Sequence, residues 1–334
     1  MSKNSYLITG GTGSFGNAFV SNLIKFKKNI SKLVIFSRDE LKQSIMSSKY
    51  PHSKYPFIRF YIGDVRDSER ILSASEGIEN IIHAAALKQV PSTEYNPFEA
   101  VQTNIIGSQN VIKAALSNNV KRVVALSTDK ACAPINLYGA TKLCSDKLFI
   151  SANNIKGKRD IKFSVVRYGN VFGSRGSVYP LFKSLIDEKT FPITDKNMTR
   201  FNISLDEGVS YVMWAIENSY GGEIIVPKLK SFKITDLARA IDPKKNNKFI
   251  GIRAGEKIHE QMISSSDSYS TYEMKKSYVI LPQDNLKLNQ YYLKNKKAKK
   301  VKPGFEYSSD KNGKFLSIFE IKNIIKKQTK KLDI

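Results

Sequence analysis

The chain has 334 residues and is 41% hydrophobic, which is typical of a globular protein of about two domains. Its net charge is +24, and residues from Leu281 onward supply 14 lysines against 5 acidic residues; because no aromatic residues alternate with these lysines, we predict no nucleic-acid site but a solvated surface, or weak attraction for an anionic small molecule. The polar N-terminus, the lack of a long apolar run, and two cysteines and three histidines without ligand spacing predict a cytoplasmic protein with no signal peptide, membrane span or metal site.

The first predicted element is a strand at residues 6–8, followed by a glycine-rich turn and a helical pattern. Glycines in such a turn permit a sharp bend, close approach to a pyrophosphate, and tight packing of the helix on the strand. The helix N-terminus then offers unpaired N–H groups to the phosphates. We therefore predict a dinucleotide site, with contacts from Gly10, Thr12, Gly13, Ser14, Phe15 and Gly16.

The second predicted strand, at 32–37, ends where NAD-binding proteins usually carry an acid for the ribose hydroxyls. This chain has Ser37 there, followed by Arg38. A guanidinium suits a 2′-phosphate, so the sequence favours NADP over NAD; alternatively, Arg38 is an exposed loop residue. The residues assigned to this end of the cofactor site are Ser37, Arg38, Asp39 and Lys42.

Two more strands are predicted at 57–62 and 80–83, and a helix at 97–116. Asp64 can accept a hydrogen bond from an adenine amine, or it can cap a turn. Small residues after the second of these strands leave room for a cofactor across the strand ends. The cofactor contacts predicted from these segments are Asp64, Val65, Ala84, Ala85, Ala86, Lys88 and Thr103.

A fifth strand begins near Val123 and ends in Ser127-Thr-Asp-Lys130, and the helical pattern after it begins with Tyr138-Gly-Ala-Thr-Lys142. One strand end and the next helix thus carry a hydroxyl, a carboxylate, a phenol and two amines. Lys142 lies one helical turn from Tyr138, so its charge would favour the phenolate and make Tyr138 a usable base. The alternative is a core tyrosine beside a surface lysine.

The sixth predicted strand, at 163–167, is the last of the regular alternation. Beyond it, helices near 178–186 and 205–219 mix with short strands at 223–226 and 249–252. We predict an α/β fold with a Rossmann-type doubly wound parallel sheet in residues 1–172. Residues 173–334 are predicted to form mostly a smaller mixed α/β substrate lobe, with some segments returning to the first domain.

The turn Thr9-Gly-x-x-Gly-x-x-Gly16 together with Tyr138-x-x-x-Lys142 resembles the extended short-chain dehydrogenase/reductases. Within them, the chain is similar to the UDP-N-acetylglucosamine 4,6-dehydratases that invert C5, a resemblance that covers nearly the whole chain. It rests on Ser37-Arg-Asp-Glu-Leu-Lys-Gln43, His83-Ala-Ala-Ala-Leu-Lys88, Ser127-Thr-Asp-Lys130, Pro134-Ile-Asn-Leu-Tyr-Gly-Ala-Thr-Lys142, Arg167-Tyr-Gly-Asn-Val171 and Met198-Thr-Arg-Phe201.

The resemblance implies a hydro-lyase with bound, recycled NADP that converts UDP-N-acetylglucosamine to UDP-2-acetamido-2,6-dideoxy-β-L-arabino-hex-4-ulose. This reaction begins the synthesis of pseudaminic acid, which is used in flagellin glycosylation. A cytoplasmic homo-oligomer, either a dimer or a hexamer, is the implied assembly. The alternatives are a C5-retaining nucleotide-sugar 4,6-dehydratase, a 4-epimerase, and a non-catalytic NADP-binding regulator.

The resemblance also implies roles for the residues after the fifth strand. Tyr138, helped by Lys142, would take the C4 hydroxyl proton while Thr128 holds that hydroxyl. Asp129, with a raised pKa, would protonate the departing C6 oxygen, and Lys130 in its neutral form would remove the C5 proton. Retaining relatives have Thr-Asp-Glu at this point, so Lys130 is the discriminating residue. Either Asp129 or Lys130 could return the proton to C5.

The substrate contacts that the resemblance implies are Lys88, Asn170, Val178, Thr194, Met198, Arg200, Arg253 and Glu256. Arginines suit the pyrophosphate and a glutamate suits ribose or uracil groups. Each could instead be an exposed or loop-stabilising residue. The chain departs from the family pattern at Gln89, Asn202 and Ala254, which puts the shape of the substrate loops in doubt but not the reaction class.

Overall fold

The computed structural model describes residues 4–26, 29–174 and 176–332. The strands are β1 (Asn4–Thr9), β2 (Ile30–Ser37), β3 (Ile58–Ile62), β4 (Asn80–His83), β5 (Arg122–Thr128), β6 (Lys162–Tyr168), β7 (Thr190–Ile193), β8 (Thr199–Asn202), β9 (Ile224–Pro227), β10 (Lys230–Lys233), β11 (Asn246–Phe249), β12 (Gln261–Ile263), β13 (Thr271–Glu273), β14 (Ser277–Ile280), β15 (Lys299–Lys300) and β16 (Tyr307–Ser308).

The helices are α1 (Ser14–Phe26), α2 (Glu40–Lys49), α3 (Ser68–Ala74), α4 (Val90–Tyr95), α5 (Pro97–Val101), α6 (Gly107–Ser117), α7 (Leu137–Ile155), α8 (Val178–Ser184), α9 (Leu205–Asn218), α10 (Ile234–Ile241), α11 (Leu286–Asn295) and α12 (Ile318–Leu332). A π-helical turn at Gln102–Ile106 joins α5 to α6, and a 3₁₀ turn at Asp129–Ala131 follows β5. Across the described ranges, no helix is long and apolar enough to cross a membrane.

The main sheet of the described chain has ten strands in the order β15-β13-β14-β9-β6-β5-β4-β1-β2-β3. Strands β1 to β6 and β9 pair in parallel with one another, and β14, β13 and β15 extend the sheet from β9 in antiparallel pairs. The order reverses between β1 and β4, which is the switch point where ligands bind such sheets. The predicted doubly wound α/β fold is confirmed.

Continuous apolar runs explain why these strands form a parallel sheet. Leu7, Ile8, Val34, Val123 and Val165 are fully buried because helices cover both faces of the sheet. The pairing register also determines how far each strand extends at the carboxyl end of the sheet. His83 at the end of β4 pairs with Ala125, so β5 continues three residues farther, to Thr128. The carboxyl end of β5 therefore projects beyond β4 and ends level with β6, since Thr128 pairs with Tyr168.

The last third of the chain contributes to both the main sheet and a second core. The strand predicted at 223–226 is β9, and it pairs with β6 in the main sheet. The strand predicted at 249–252 lies earlier, at β11, because Gly251 adopts a positive φ of 83° that ends the extended run. Around Phe182 and Phe191, whose rings stack 4.8 Å apart, α8, α10 and α12 form a separate hydrophobic cluster. The domain boundary at residue 172 stays an interpretation.

Candidate active site

A cavity of about 550 Å³ lies across the carboxyl ends of β1, β4, β5 and β6. It brings together all five predicted catalytic residues and all predicted cofactor residues except Gly16. The predicted residues that line it are Gly10, Thr12, Gly13, Ser14, Phe15, Ser37, Arg38, Asp39, Lys42, Asp64, Val65, Ala84, Ala85, Ala86, Lys88, Thr103, Thr128, Asp129, Lys130, Tyr138, Lys142 and Asn170. Their individual roles remain predictions.

The glycine turn after β1 has the geometry that close approach to a ligand requires. Gly10 has a φ of 65°, and a β-carbon there would lie 2.9 Å from the backbone nitrogen of Ala85. Gly16 does not line the cavity, but a β-carbon there would lie 2.2 Å from the carbonyl oxygen of Gly11. Gly16 therefore lets α1 start directly against the turn, so that its N-terminus faces the cavity.

At the far end of the cavity, arginines hold Asp64 as an ionised acceptor. Arg66 Nε donates to Asp64 Oδ2 at 2.9 Å, and Arg38 Nη1 donates to the same oxygen at 3.2 Å. Burial would raise the pKa of Asp64, but the Arg66 hydrogen bonds and the Arg38 charge outweigh it and lower that pKa. Asp39 caps α2 by accepting from the Lys42 backbone. The sequence did not single out Arg66; its only signal was its place two residues after Asp64.

The π-helical turn between α5 and α6 replaces the middle of the single helix predicted at 97–116. A π-helical turn contains one more residue than an α-helical turn, and here it turns Thr103 toward the cavity. The buried hydroxyl of Thr103 has no hydrogen-bond partner among the described residues. Asn104 bonds both the N–H and the C=O of Leu87, and also the Thr141 hydroxyl. This clamp fixes the loop that carries Lys88 against α7.

Local contacts place the start of α7 against the turn that follows β5. Asn136 caps α7 by accepting from the Gly139 N–H at 2.8 Å, and its amide donates to the carbonyl of Gly255. A β-carbon at Gly139 would lie only 2.1 Å from the carbonyl oxygen of Lys130. Because position 139 is glycine, the first turn of α7 touches the 3₁₀ turn. Tyr138 thereby reaches the residues that end β5.

The charge of Lys130 acts on the phenol of Tyr138. Burial raises the pKa of Tyr138 to about 12, while the Lys130 charge and a hydrogen bond with the Thr128 hydroxyl oppose that rise. Burial lowers the pKa of Lys142, and the nearby Asp146 carboxylate opposes this. The sequence predicted Lys142 as the residue that favours the phenolate. That role of Lys142 stays a prediction, and Lys130 is a further cation that acts on the phenol.

Lys130 lies between two buried carboxyl groups, at 3.2 Å from Asp129 Oδ1 and 2.9 Å from Glu260 Oε1. Burial alone would lower the pKa of Lys130, but these two carboxyl groups outweigh it and raise that pKa. The expectation of a neutral Lys130 was wrong for this state of the site, since it assumed that cations were the nearest charges. Burial, followed by the charge of Glu260, raises the pKa of Asp129, in the direction predicted.

Glu260 is the main residue of the site that sequence reasoning missed. Its side chain is 2% exposed, and its pKa is lowered because the charges of Lys130 and Arg200 outweigh the effect of burial. The only sequence signal was the charged stretch 253–260, which carried no spacing that could link it to Lys130.

A buried ion pair between Arg167 and Asp146 supports the end of β5. Arg167 Nη2 donates to Asp146 Oδ2 at 3.1 Å, and the Ser127 hydroxyl donates to the same oxygen at 2.6 Å. Arg167 also donates to the Met262 carbonyl. This network joins β5, β6, α7 and β12, so it fixes the backbone from which Thr128 and Asp129 extend.

Only two of the eight predicted substrate residues, Lys88 and Asn170, line the cavity. Asn170 Oδ1 is buried and has no hydrogen-bond partner within the described part of the chain. Arg200 is 7% exposed, and its Nη1 donates to the carbonyls of Thr199 and Ile258.

The other five predicted substrate residues lie outside the cavity lining. Met198 is buried in the second core, and Val178 packs against that core. Glu256 forms an ion pair with Arg253 and accepts from the Thr194 hydroxyl at 3.3 Å. The polar residues of this group, Thr194, Arg253 and Glu256, therefore bond one another.

The comparisons with known proteins agree with this geometry. A family model described as polysaccharide biosynthesis protein matches residues 6–282. The UDP-N-acetylglucosamine 4,6-dehydratase (inverting) of Campylobacter jejuni subsp. jejuni serotype O:2 is 54% identical, over 97% of both chains. The UDP-glucose 4-epimerase of Rickettsia conorii is 42% identical over 96% of this chain and 94% of that protein. The X-ray structure of Pen from Bacillus thuringiensis matches with a TM-score of 0.88 at 36% identity, covering 98% of both chains.

Proposed function

This chain belongs to the polysaccharide biosynthesis protein family, and we propose that it is a UDP-N-acetylglucosamine 4,6-dehydratase that inverts C5. The observation that carries the proposal is the ion pair of buried Asp129 with partly exposed Lys130, beside Tyr138 in the cavity at the strand ends. Oxidation at C4 needs one base, and removal of water across C5 and C6 needs a further acid and base. The cavity lining contains all three kinds of group.

The cavity fits a nicotinamide dinucleotide. Gly10 leaves its backbone open to a pyrophosphate, Ala84 to Ala86 leave space across the strand ends, and Thr103 offers a buried hydroxyl. The chemistry that such a cofactor supplies when bound is removal of a hydride from C4 and its return to C6. Arg38 and Lys42 would hold a 2′-phosphate, so NADP is the proposed form.

Cofactor choice can be tested by isothermal titration calorimetry. Arg38→Ala should weaken NADP binding by about tenfold, or roughly 1.4 kcal/mol, and NAD binding much less, because only NADP carries the 2′-phosphate. Arg122→Ala is the control, since Arg122 starts β5 and so lies at the amino ends of the strands, away from the cavity. Equal losses for both dinucleotides would contradict the assignment of Arg38.

The first half of the reaction needs Tyr138 to take the C4 hydroxyl proton. Because burial holds the pKa of Tyr138 at about 12, the phenol depends on the groups that oppose burial, which are Lys130 and Thr128. The Thr128 hydroxyl also donates to Asp129 Oδ1 at 3.0 Å, so one hydroxyl joins the two proton-transfer residues. Thr128 would orient the C4 hydroxyl toward Tyr138.

The second half needs a proton for the C6 oxygen and a base for C5. Asp129 is 1% exposed, and its raised pKa favours the protonated carboxylic acid that can give this proton. Lys130 would take the C5 proton, and it must first lose its own. Asp129 and Lys130 both remain candidates for returning a proton to the opposite face of C5, which would give the L-configured product.

A 4-epimerase is the second candidate, because the Rickettsia relative carries that name at 42% identity. An epimerase has no need of an elimination pair, whereas Asp129 is buried with Oδ2 unpaired among the described residues. Incubation with UDP-N-acetylglucosamine followed by mass spectrometry separates the two. A dehydratase product is lighter by one water, an epimer has unchanged mass, and a non-catalytic regulator leaves the substrate unchanged. Tyr138→Phe should abolish turnover.

The resemblance further supports a cytoplasmic enzyme whose product enters pseudaminic acid synthesis and flagellin glycosylation, and which assembles as a homo-oligomer. A dimer or hexamer is expected, and light scattering coupled to size-exclusion chromatography measures it. A monomer at micromolar concentration would contradict this assembly.

A further inference from the structure

Glu260 is brought to Lys130 by the pairing of two short strands far along the chain. It immediately precedes β12, which pairs with β16. Its backbone N–H donates to the Ser309 hydroxyl at 2.9 Å, and its carbonyl accepts from the Ser309 N–H at 2.8 Å. These two bonds fix the backbone of Glu260, so its carboxylate is held at 2.9 Å from Lys130 Nζ.

The carboxylate of Glu260 is incompletely satisfied for a buried charge. Oε1 accepts from Lys130 and lies 3.7 Å from Arg200 Nε, while Oε2 is buried with no hydrogen-bond partner in the described chain. An unpaired buried carboxylate oxygen costs free energy, so a purely structural ion pair would not be expected to keep one. A proton that moves along the Lys130–Oε1 hydrogen bond reverses the direction of that bond without breaking it.

We propose that Glu260 is a positioning residue that accepts the proton of Lys130, so that Lys130 is neutral when it acts on C5. The inference rests on the proposed function and adds to it the residue that prepares the base. Glu260 does not line the cavity, so it acts through Lys130 and does not touch the sugar.

The proton transfer is balanced within the pair. One N–H bond of the Lys130 ammonium breaks, one O–H bond forms on the Glu260 carboxylate, and a neutral amine and a neutral carboxylic acid result. The net charge of the pair is zero before and after. Exclusion of water by bound substrate favours the neutral pair, because an ion pair loses more solvation on burial than a neutral pair does. The amine then takes the C5 proton.

Other charged groups face this pair from several elements. Asp129 precedes Lys130 on the 3₁₀ turn, and Tyr138 approaches from α7. Arg200 on β8 faces Glu260, and Lys257 acts on Glu260 from the preceding loop. Burial and then the charge of Lys130 lower the pKa of Lys88, which follows β4. Arg200 and Lys257 favour the carboxylate of Glu260, and Asp129 favours the ammonium of Lys130. The ion pair therefore holds in the free site, and the transfer belongs to the substrate-bound state.

The test is the pH dependence of single-turnover dehydration, measured by rapid quench and mass spectrometry of the product. In the unaltered enzyme the proton stays within the pair, so the rate should be flat between about pH 6 and 9. In Glu260→Gln, Lys130 must lose its proton to solvent, so the rate should rise about tenfold per pH unit. Glu260→Asp keeps the charge one methylene farther away, so it should be slower but flat.

Two further measurements separate this role from general stability. C4 oxidation, followed by the absorbance of the reduced cofactor, should stay within about threefold of the unaltered enzyme in both Glu260 variants, while dehydration falls by at least about tenfold. Glu223→Gln is the matched control. Glu223 is also buried, but it directly precedes β9 and so lies at the amino ends of the strands, away from the cavity. This variant should keep the flat profile.

A flat profile in Glu260→Gln at the unaltered rate would overturn the inference. If Glu260→Gln does not fold, Glu260→Asp decides: equal losses in oxidation and dehydration would overturn the inference, and a loss confined to dehydration would support it. If the unaltered enzyme removes no water from UDP-N-acetylglucosamine, the proposed function itself fails, and the role of Glu260 fails with it.

Discussion

Gly139 offers the sharpest single perturbation of the site. A β-carbon there would lie 2.1 Å from the carbonyl oxygen of Lys130, and real contacts of this kind are not shorter than 3.0 Å. Gly139→Ala must therefore separate α7 from the 3₁₀ turn by about 0.9 Å. A misplacement of about 1 Å between reacting groups costs on the order of 100-fold in rate. Overpacking of backbone against backbone should also cost about 1–3 kcal/mol of stability.

The assay combines product formation from UDP-N-acetylglucosamine with thermal unfolding. Gly208→Ala is the matched control, because Gly208 lies near the start of α9 and its β-carbon would meet its nearest neighbour at an ordinary 3.8 Å. That control should keep full activity and gain about 0.5–1 kcal/mol from helix propensity. Gly139→Ala with unaltered rate and stability would show that the close contact does not position Tyr138 against Lys130.

Three further substitutions test the charges. Lys130→Glu should abolish inversion or all turnover while dinucleotide binding, measured by calorimetry, persists; unchanged rate and stereochemistry would remove Lys130 from its role. Asp129→Asn should abolish dehydration yet raise the melting temperature near neutral pH, because burial raises the pKa of Asp129 and ionisation therefore costs stability; an unchanged or lower melting temperature would contradict this. Burial raises the pKa of Glu223 from 4.5 to about 7, so its stabilising effect is present below pH 4.5 and is lost as the pH rises to about 7. Relative to Glu223→Gln, the unaltered protein should lose on the order of 3 kcal/mol over that interval in urea unfolding, and parallel curves would contradict the assignment.

Features that depend on neighbouring residues could be predicted from the sequence. The strands that form the parallel sheet have continuous apolar runs, and the glycine turn after β1 has a spacing with a mechanical reason. Asp129 and Lys130 are adjacent in the 3₁₀ turn, and Tyr138 lies in the first turn of α7, the next helix. Their presence in one cavity follows from the projection of β5 beyond β4.

Features that depend on distant residues could not be predicted. Glu260 is 130 residues from Lys130, and only the pairing of β12 with β16 brings it there. The charge of Lys130 in the free site was therefore wrongly predicted, since a pKa depends on partners that spacing does not reveal. Arg200 was predicted as a phosphate ligand, and that role stays a prediction, but the sequence did not reveal that its Nη1 donates to two backbone carbonyls. The π-helical turn had no local signal in an otherwise regular helical pattern.

The proposed mechanism requires Asp129 and Lys130 to remove water after oxidation, and one of them then to reprotonate C5 from the opposite face. The direct test is NMR spectroscopy of the product formed from UDP-N-acetylglucosamine in D₂O. We expect a 4-keto-6-deoxy sugar with deuterium at C5 and the L-configuration. A D-configured product, or no turnover of this sugar, would contradict it.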